Sequence, residues 1–145
     1  MIIPDLNLLL YAYNPHTPQH ARAADWWRDC MAGEELIGLP HEVLFGFVRI
    51  ATNPRLGPAA VPLAKAREVV EHWLGLPHVR VLVPEPEHFR RCMDLLASSG
   101  GAGTLTSDAV LAAHAIANRA VLHSNDSDFS RFPGLAWKNP LQAPE

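Results

Sequence analysis

Short apolar runs alternate with longer amphipathic stretches along this chain. The runs Met1–Pro4, Leu36–Leu39, Val79–Val83 and Ala120–His123 read as strands, the third alternating weakly and rich in β-branched residues. Between them, Leu6–Tyr13, Pro18–Met31, Pro40–Thr52, Val61–Leu74, Pro86–Ser98 and the alanine-rich Thr106–Asn118 read as helices, with Pro18 suited to a first turn and Asn53-Pro54 ending the third. Leu135–Trp137 reads as a last edge strand. In the third helix Val43, Phe47 and Ile50 share one side, with Leu44 and Val48 alongside. Glu42, Gly46, Arg49 and Asn53 recur at spacings of four, three and four on a narrow polar seam. A glycine there weakens the helix, so it marks close approach of a ligand or of a neighbouring helix.

Strands alternating with helices predict an α/β fold, a three-layer α/β/α sandwich around a mostly parallel, Rossmann-like sheet. The Pro/Gly-rich stretches Asn53–Pro62 and Ser98–Gly103 read as loops rather than domain boundaries, and there is no internal repeat, so residues 1–145 form one domain. At 48% hydrophobic and 19% charged the composition is that of an ordinary globular protein. The net charge of −3 gives no global basic signal for nucleic acid, although a basic rim around an acidic centre is compatible with it. Cys30 and Cys92 form no CxxC pair or metal-ligand spacing and read as small buried hydrophobes in a reducing cytosol. The start lacks Lys, Arg and a cleavage pattern, which argues against a signal peptide, and no apolar run reaches spanning length. The expected setting is cytoplasmic, with no membrane partner.

The chemistry concentrates in carboxylates. Asp5 follows the first strand, Glu42 opens the helix after the second, Asp108 opens the alanine-rich helix, and Asp126 and Asp128 follow the fourth strand. Each has a local explanation: helix capping for Asp5 and Asp108, helix-dipole complementation for Glu42, turn formation for Asp126 and Asp128. Their joint position is more informative. Strand ends gather at one edge of a parallel sheet, where ligands bind. Carboxylates crowded there stay ionised only with a cation between them, and a hard divalent ion suits oxygen ligands.

The pieces Ile3-Pro4-Asp5-Leu6-Asn7, Glu42, Thr106-Ser107-Asp108-Ala109, Ser124-Asn125-Asp126-Ser127-Asp128-Phe129, Arg131-Phe132-Pro133-Gly134-Leu135 and Trp137-Lys138-Asn139-Pro140-Leu141 resemble, in order and spacing, the PIN-domain family, specifically the VapC-type toxins of bacterial toxin–antitoxin pairs. The resemblance implies a metal-dependent endoribonuclease. Its acidic quartet maps onto Asp5, Glu42, Asp108 and Asp126, with Asp128 auxiliary and Ser124 where the family has Ser or Thr. It implies one or two Mg²⁺ or Mn²⁺ ions, an RNA substrate, a cognate VapB-type antitoxin inserting a segment over the site, and a homodimer. Arg49, Arg55, Arg131 and Lys138 are candidate phosphate contacts, with solvated surface charge as the alternative for each. Trp26, Trp27 and Trp73 are candidates for exposed partner contacts, with core packing as their alternative.

Other chemistries fit less well. His41-Glu42 begins an H-E-x-x-H pattern, but Phe45 stands at the second histidine; His16 and His20 lie among prolines and read as surface residues. Gly101-Ala102-Gly103 lacks the rest of a dinucleotide fingerprint, and there is no G-K-[ST]. A phosphatase with an Asp nucleophile would need a second acid where Asn7 stands. Two non-nuclease readings stay open. A phospho-accepting receiver domain would need an Asp where Val83-Pro84-Glu85 stands, and a catalytically silent binding module would need no chemistry at all.

Overall fold

The structure is a computed structural model that describes residues 1–101 and 103–143. Of the expected 98–103 loop, Ala102 lies outside the described residues, as do the last two positions of the predicted domain. Five strands, β1 (Ile2–Pro4), β2 (Ile37–Pro40), β3 (Val79–Leu82), β4 (Val121–His123) and β5 (Trp137–Lys138), pair in the order β3-β2-β1-β4-β5. All pairings are parallel. Helices α1 (Leu6–Tyr13), α2 (His20–Ala32), α3 (His41–Ala51), α4 (Leu63–Leu74), α5 (His88–Ser99) and α6 (Thr106–Ala117) flank the sheet. α1 packs on α2 and α3, α4 on α3, and α5 on α6. This is the predicted α/β architecture.

The strand order reverses between β1 and β4. The chain leaves β1 toward β2 and β3, then returns to the other side of β1 for β4 and β5. In an open parallel sheet such a reversal opens a crevice at the carboxyl ends of the two strands that flank it. Asp5 follows one of those strands and Ser124 the other.

Several expectations need revision. The Asn53–Pro62 stretch is not a plain loop: Pro54–Ala59 forms 3₁₀ helix, begun by the fixed φ of Pro54 and by the Asn53 side chain, which accepts from the Arg55 amide at 3.0 Å. Pro18 lies in the turn before α2, whose N-cap is Gln19. The last strand falls at Trp137–Lys138, one turn of the pleat later than expected. Trp27 and Trp73 are not partner-facing. They are fully buried and meet edge to face with ring centroids 5.5 Å apart, with Phe47 4.8 Å from Trp73 and Tyr13 receiving the Trp73 indole N–H at 2.9 Å. Burying so much ring area is favourable enough to prevail over exposure. Trp26 is half-buried. Cys92 is buried as expected, whereas Cys30 is only partly so.

Gly46 is explained by a neighbouring helix. A β-carbon there would stand 2.6 Å from Leu6 Cδ2, so α1 and α3 meet through a missing side chain. That close approach keeps the first turn of α1, with Asp5 just ahead of it, against α3.

Candidate active site

Asp5 is held from several directions. Its backbone N–H donates to the His123 carbonyl at 2.8 Å, and its Oδ2 accepts from the Ser124 hydroxyl at 2.7 Å. It is 6% exposed and stands at the N-cap of α1 as expected, yet makes no side-chain cap hydrogen bond there. Burial raises its pKa; the Ser124 hydrogen bond and the nearby Asn7 amide pull back, while the charge of Asp126 raises it further.

Ser124, fully buried, links the two strand ends. Its hydroxyl donates to Asp5 and accepts from the Asp126 amide at 3.0 Å. Asp126 in turn accepts from the Asp128 amide at 2.9 Å and so starts the 3₁₀ turn Ser127–Arg131. The turn-forming explanation therefore holds for Asp126, together with its placement beside Asp5. Asp128 is exposed.

Asp108 is half-buried in the first turn of α6 and caps nothing. Its pKa is pushed up to about 6 by burial first, then by the charges of Asp126, Asp5 and Asp128. Asp108 thus lies within electrostatic reach of Asp5, Asp126 and Asp128, although the four come from three separate chain segments. Glu42 lines the same cavity of about 360 Å³ as Asp5, Asn7, Arg49, Thr106 and Asp108. Its carboxylate also approaches α6, with Oε2 3.6 Å from Nε2 of the buried His114.

The donors of this pocket are hard oxygens that repel one another, which fits a hard divalent cation such as Mg²⁺ or Mn²⁺. They stand open: among the described residues, no three of these carboxylates bring oxygens within 4.8 Å of one another. The basic candidates separate. Arg49 is exposed on the cavity wall. Arg55 lies on the 3₁₀ turn after α3 and is not among the residues lining the cavity. Arg131 donates to the Ser99 carbonyl at 3.4 Å. Lys138 borders a different groove, with Trp26, Cys30 and His123.

The histidines are where sequence reasoning fell short. His16 is exposed and His20 contacts the Tyr11 carbonyl at 2.9 Å, yet His114 and His123 are interior. His123 accepts from the Trp26 indole N–H at 3.1 Å, and burial, aided by the charge of Lys138, lowers its pKa to about 4. His88, Glu42 and His114 form a separate three-residue cluster. The available signal was the i,i+4 spacing of His88 and Cys92 on α5; their meeting with α3 and α6 is tertiary.

The sequence profile of the PIN domain matches residues 2–135. Ribonuclease VapC33 of Mycobacterium tuberculosis is 47% identical over 142 residues, covering 98% of this chain and 99% of that protein. Ribonuclease VapC37 of the same species is 36% identical, covering 97% of each. Among solved structures, VapBC2 from Rickettsia felis bound to a promoter DNA fragment superposes with a TM-score of 0.68 at 20% identity, over 96% of this chain and 98% of that one. The sarcin–ricin loop cleaving toxin VapC20 of Mycobacterium tuberculosis superposes with a TM-score of 0.67 at 19% identity, over 90% and 93%.

Proposed function

This chain belongs to the PIN domain family, and from that premise we propose that it is the ribonuclease toxin of a toxin–antitoxin pair, hydrolysing RNA phosphodiester bonds at the acidic cavity. Relatives named as VapC ribonucleases, matched over nearly their full length, support the activity. The observation that carries the assignment to this cavity is the Asp5–Ser124–Asp126 linkage at the strand-order reversal, with Asp108 close enough to be perturbed by both carboxylates.

The geometry supports a role for each residue in this reading. Ser124 fixes the orientation of Asp5 and the position of the Asp126 backbone, so neither aspartate has to be ordered when RNA arrives. Asp108 and Glu42 complete the oxygen donors from α6 and α3, and Asp128 stands outside them as an auxiliary acid. Bound Mg²⁺ or Mn²⁺ supplies an acidified water and charge neutralisation at the phosphate. Arg49, exposed on the wall, is placed to hold a phosphate of the RNA backbone. A VapB-type antitoxin covering the cavity, a homodimer and a cytoplasmic setting complete the reading. Among the described residues no helix is long and apolar enough to cross a membrane.

The test compares the wild type with Asp5→Ala on structured and unstructured RNA in Mg²⁺, in Mn²⁺ and with EDTA, alongside growth arrest on induction. Cleavage that needs the ion and falls by about a hundredfold or more in the variant is expected, the scale of losing a positioned polar group in an active site. Equal cleavage by the two proteins would refute the assignment. Uptake of phosphate from a small phosphodonor would favour the receiver reading instead.

A further inference from the structure

Beside the aspartates lies a cluster of different chemistry. Glu42 on α3, His88 on α5 and His114 on α6 each direct one donor atom into a common space, all three within 4.8 Å of one another. The His114 ring is 2% exposed, and its Nε2 has no hydrogen-bond partner. Glu42 Oε2 is the near oxygen, at 3.6 Å, beyond hydrogen-bond reach. A buried ring nitrogen left without a partner destabilises the fold unless something occupies the space in front of it. The rings of His88 and His114 lie 4.2 Å apart, and the Cys92 sulfur lies 3.6 Å from His88 Nε2, one helical turn along α5.

We propose that Glu42, His88 and His114 form a second metal site, distinct in ligand chemistry from the aspartate pocket, that takes a transition ion of the zinc class, with Cys92 at its edge as a fourth donor. Two imidazoles, a carboxylate and a thiol are the mixed nitrogen, oxygen and sulfur set that favours Zn²⁺, Co²⁺ or Ni²⁺ over Mg²⁺. With bonds of about 2.0–2.3 Å to the ion, donors on a tetrahedron stand about 3.3–3.7 Å apart. Glu42, His88 and His114 have to close by no more than about 1 Å to reach that spacing, with Cys92 following from beside His88. Two members can move to do so: Glu42 is half-exposed on a flexible stem and His88 half-buried in the first turn of α5. His114, held in the core, is the fixed point.

The site shares Glu42 with the ribonuclease cavity. An ion bound between the histidines draws that carboxylate away from the aspartates, so transition-metal occupancy suppresses RNA cleavage. This second clause rests on the ribonuclease reading; the binding claim does not.

The experiment titrates the full, metal-stripped chain with Co²⁺ and follows the visible bands of four-coordinate cobalt. One equivalent is expected to produce them, and Zn²⁺ to displace them. His88→Ala, checked for its fold by circular dichroism, is expected to weaken Co²⁺ binding by more than about tenfold, since even an outer partner of a ligand has that effect. Asp108→Asn is expected to leave the bands unchanged. Absence of the bands, or equal affinity in wild type and His88→Ala, overturns the site. In the cleavage assay with Mg²⁺, Zn²⁺ is expected to inhibit the wild type and to spare His88→Ala; equal inhibition of both overturns the coupling. Cobalt bands in a chain that cleaves no RNA would sink the ribonuclease reading while leaving the metal site standing.

Discussion

At the residue scale, two interior groups pull stability in opposite directions over the same pH range. Asp108 holds its proton up to about pH 6 when folded and to about 3.8 when not. Between those values the folded chain binds more protons, so this group's contribution is full below the lower value and is lost as pH rises through the upper one. His123 behaves inversely: its folded pKa of about 4 lies below the ordinary 6.5, so its contribution is full above 6.5 and is lost as pH falls through 4. Asp108→Asn is therefore expected to raise the melting temperature of the metal-free chain at pH 7 and to leave it nearly unchanged at pH 4. Mg²⁺ should raise the wild-type melting temperature at pH 7 and shift the variant less, because ligands that bind only the folded state stabilise it. Thermal melts at the two pH values, with and without Mg²⁺, check both. A variant less stable than wild type at pH 7 would show that Asp108 is not under repulsion.

At the element scale, the contact between α1 and α3 depends on what Gly46 lacks. Alanine there would gain about 1 kcal/mol of helix propensity but displace the Leu6 side chain, so its net effect is small. Gly46→Val also crowds the next turn, and is expected to destabilise by about 1–3 kcal/mol and to lower RNA cleavage by moving the segment that carries Asp5. Urea unfolding and a cleavage assay on the same preparation measure both effects. Much of this level was legible in the sequence. The apolar runs located four strands, the amphipathic stretches located six helices, and the carboxylates after three of those strands and at the start of the sixth helix supplied the site candidates. Whether Gly46 faced a ligand or a helix was not legible, because the seam on α3 looks the same in either case until Leu6 is known to lie across it. Nor was the grouping of Glu42 with His88 and His114 legible. Their side chains meet only once three helices have packed, and periodicity within each helix does not register that.

At the scale of the whole molecule, the aromatic cluster of Tyr13, Trp27, Phe47 and Trp73 joins α1, α2, α3 and α4. Composition alone left Trp27 and Trp73 open between core and surface, since tryptophan is common in both; burial decided for the core. Trp73→Ala is expected to cost about 3–5 kcal/mol, a large share of the roughly 5–15 kcal/mol that holds a domain of this size, with the urea midpoint as the measurement. The hydroxyl of Ser124 reaches back 119 positions to Asp5. A nascent polypeptide therefore carries its first aspartate long before the serine and second aspartate that align it have been translated. The bond that orients Asp5 therefore forms only once that late segment has been made, so the two ends of the chain meet at the cavity as one of the last steps of folding.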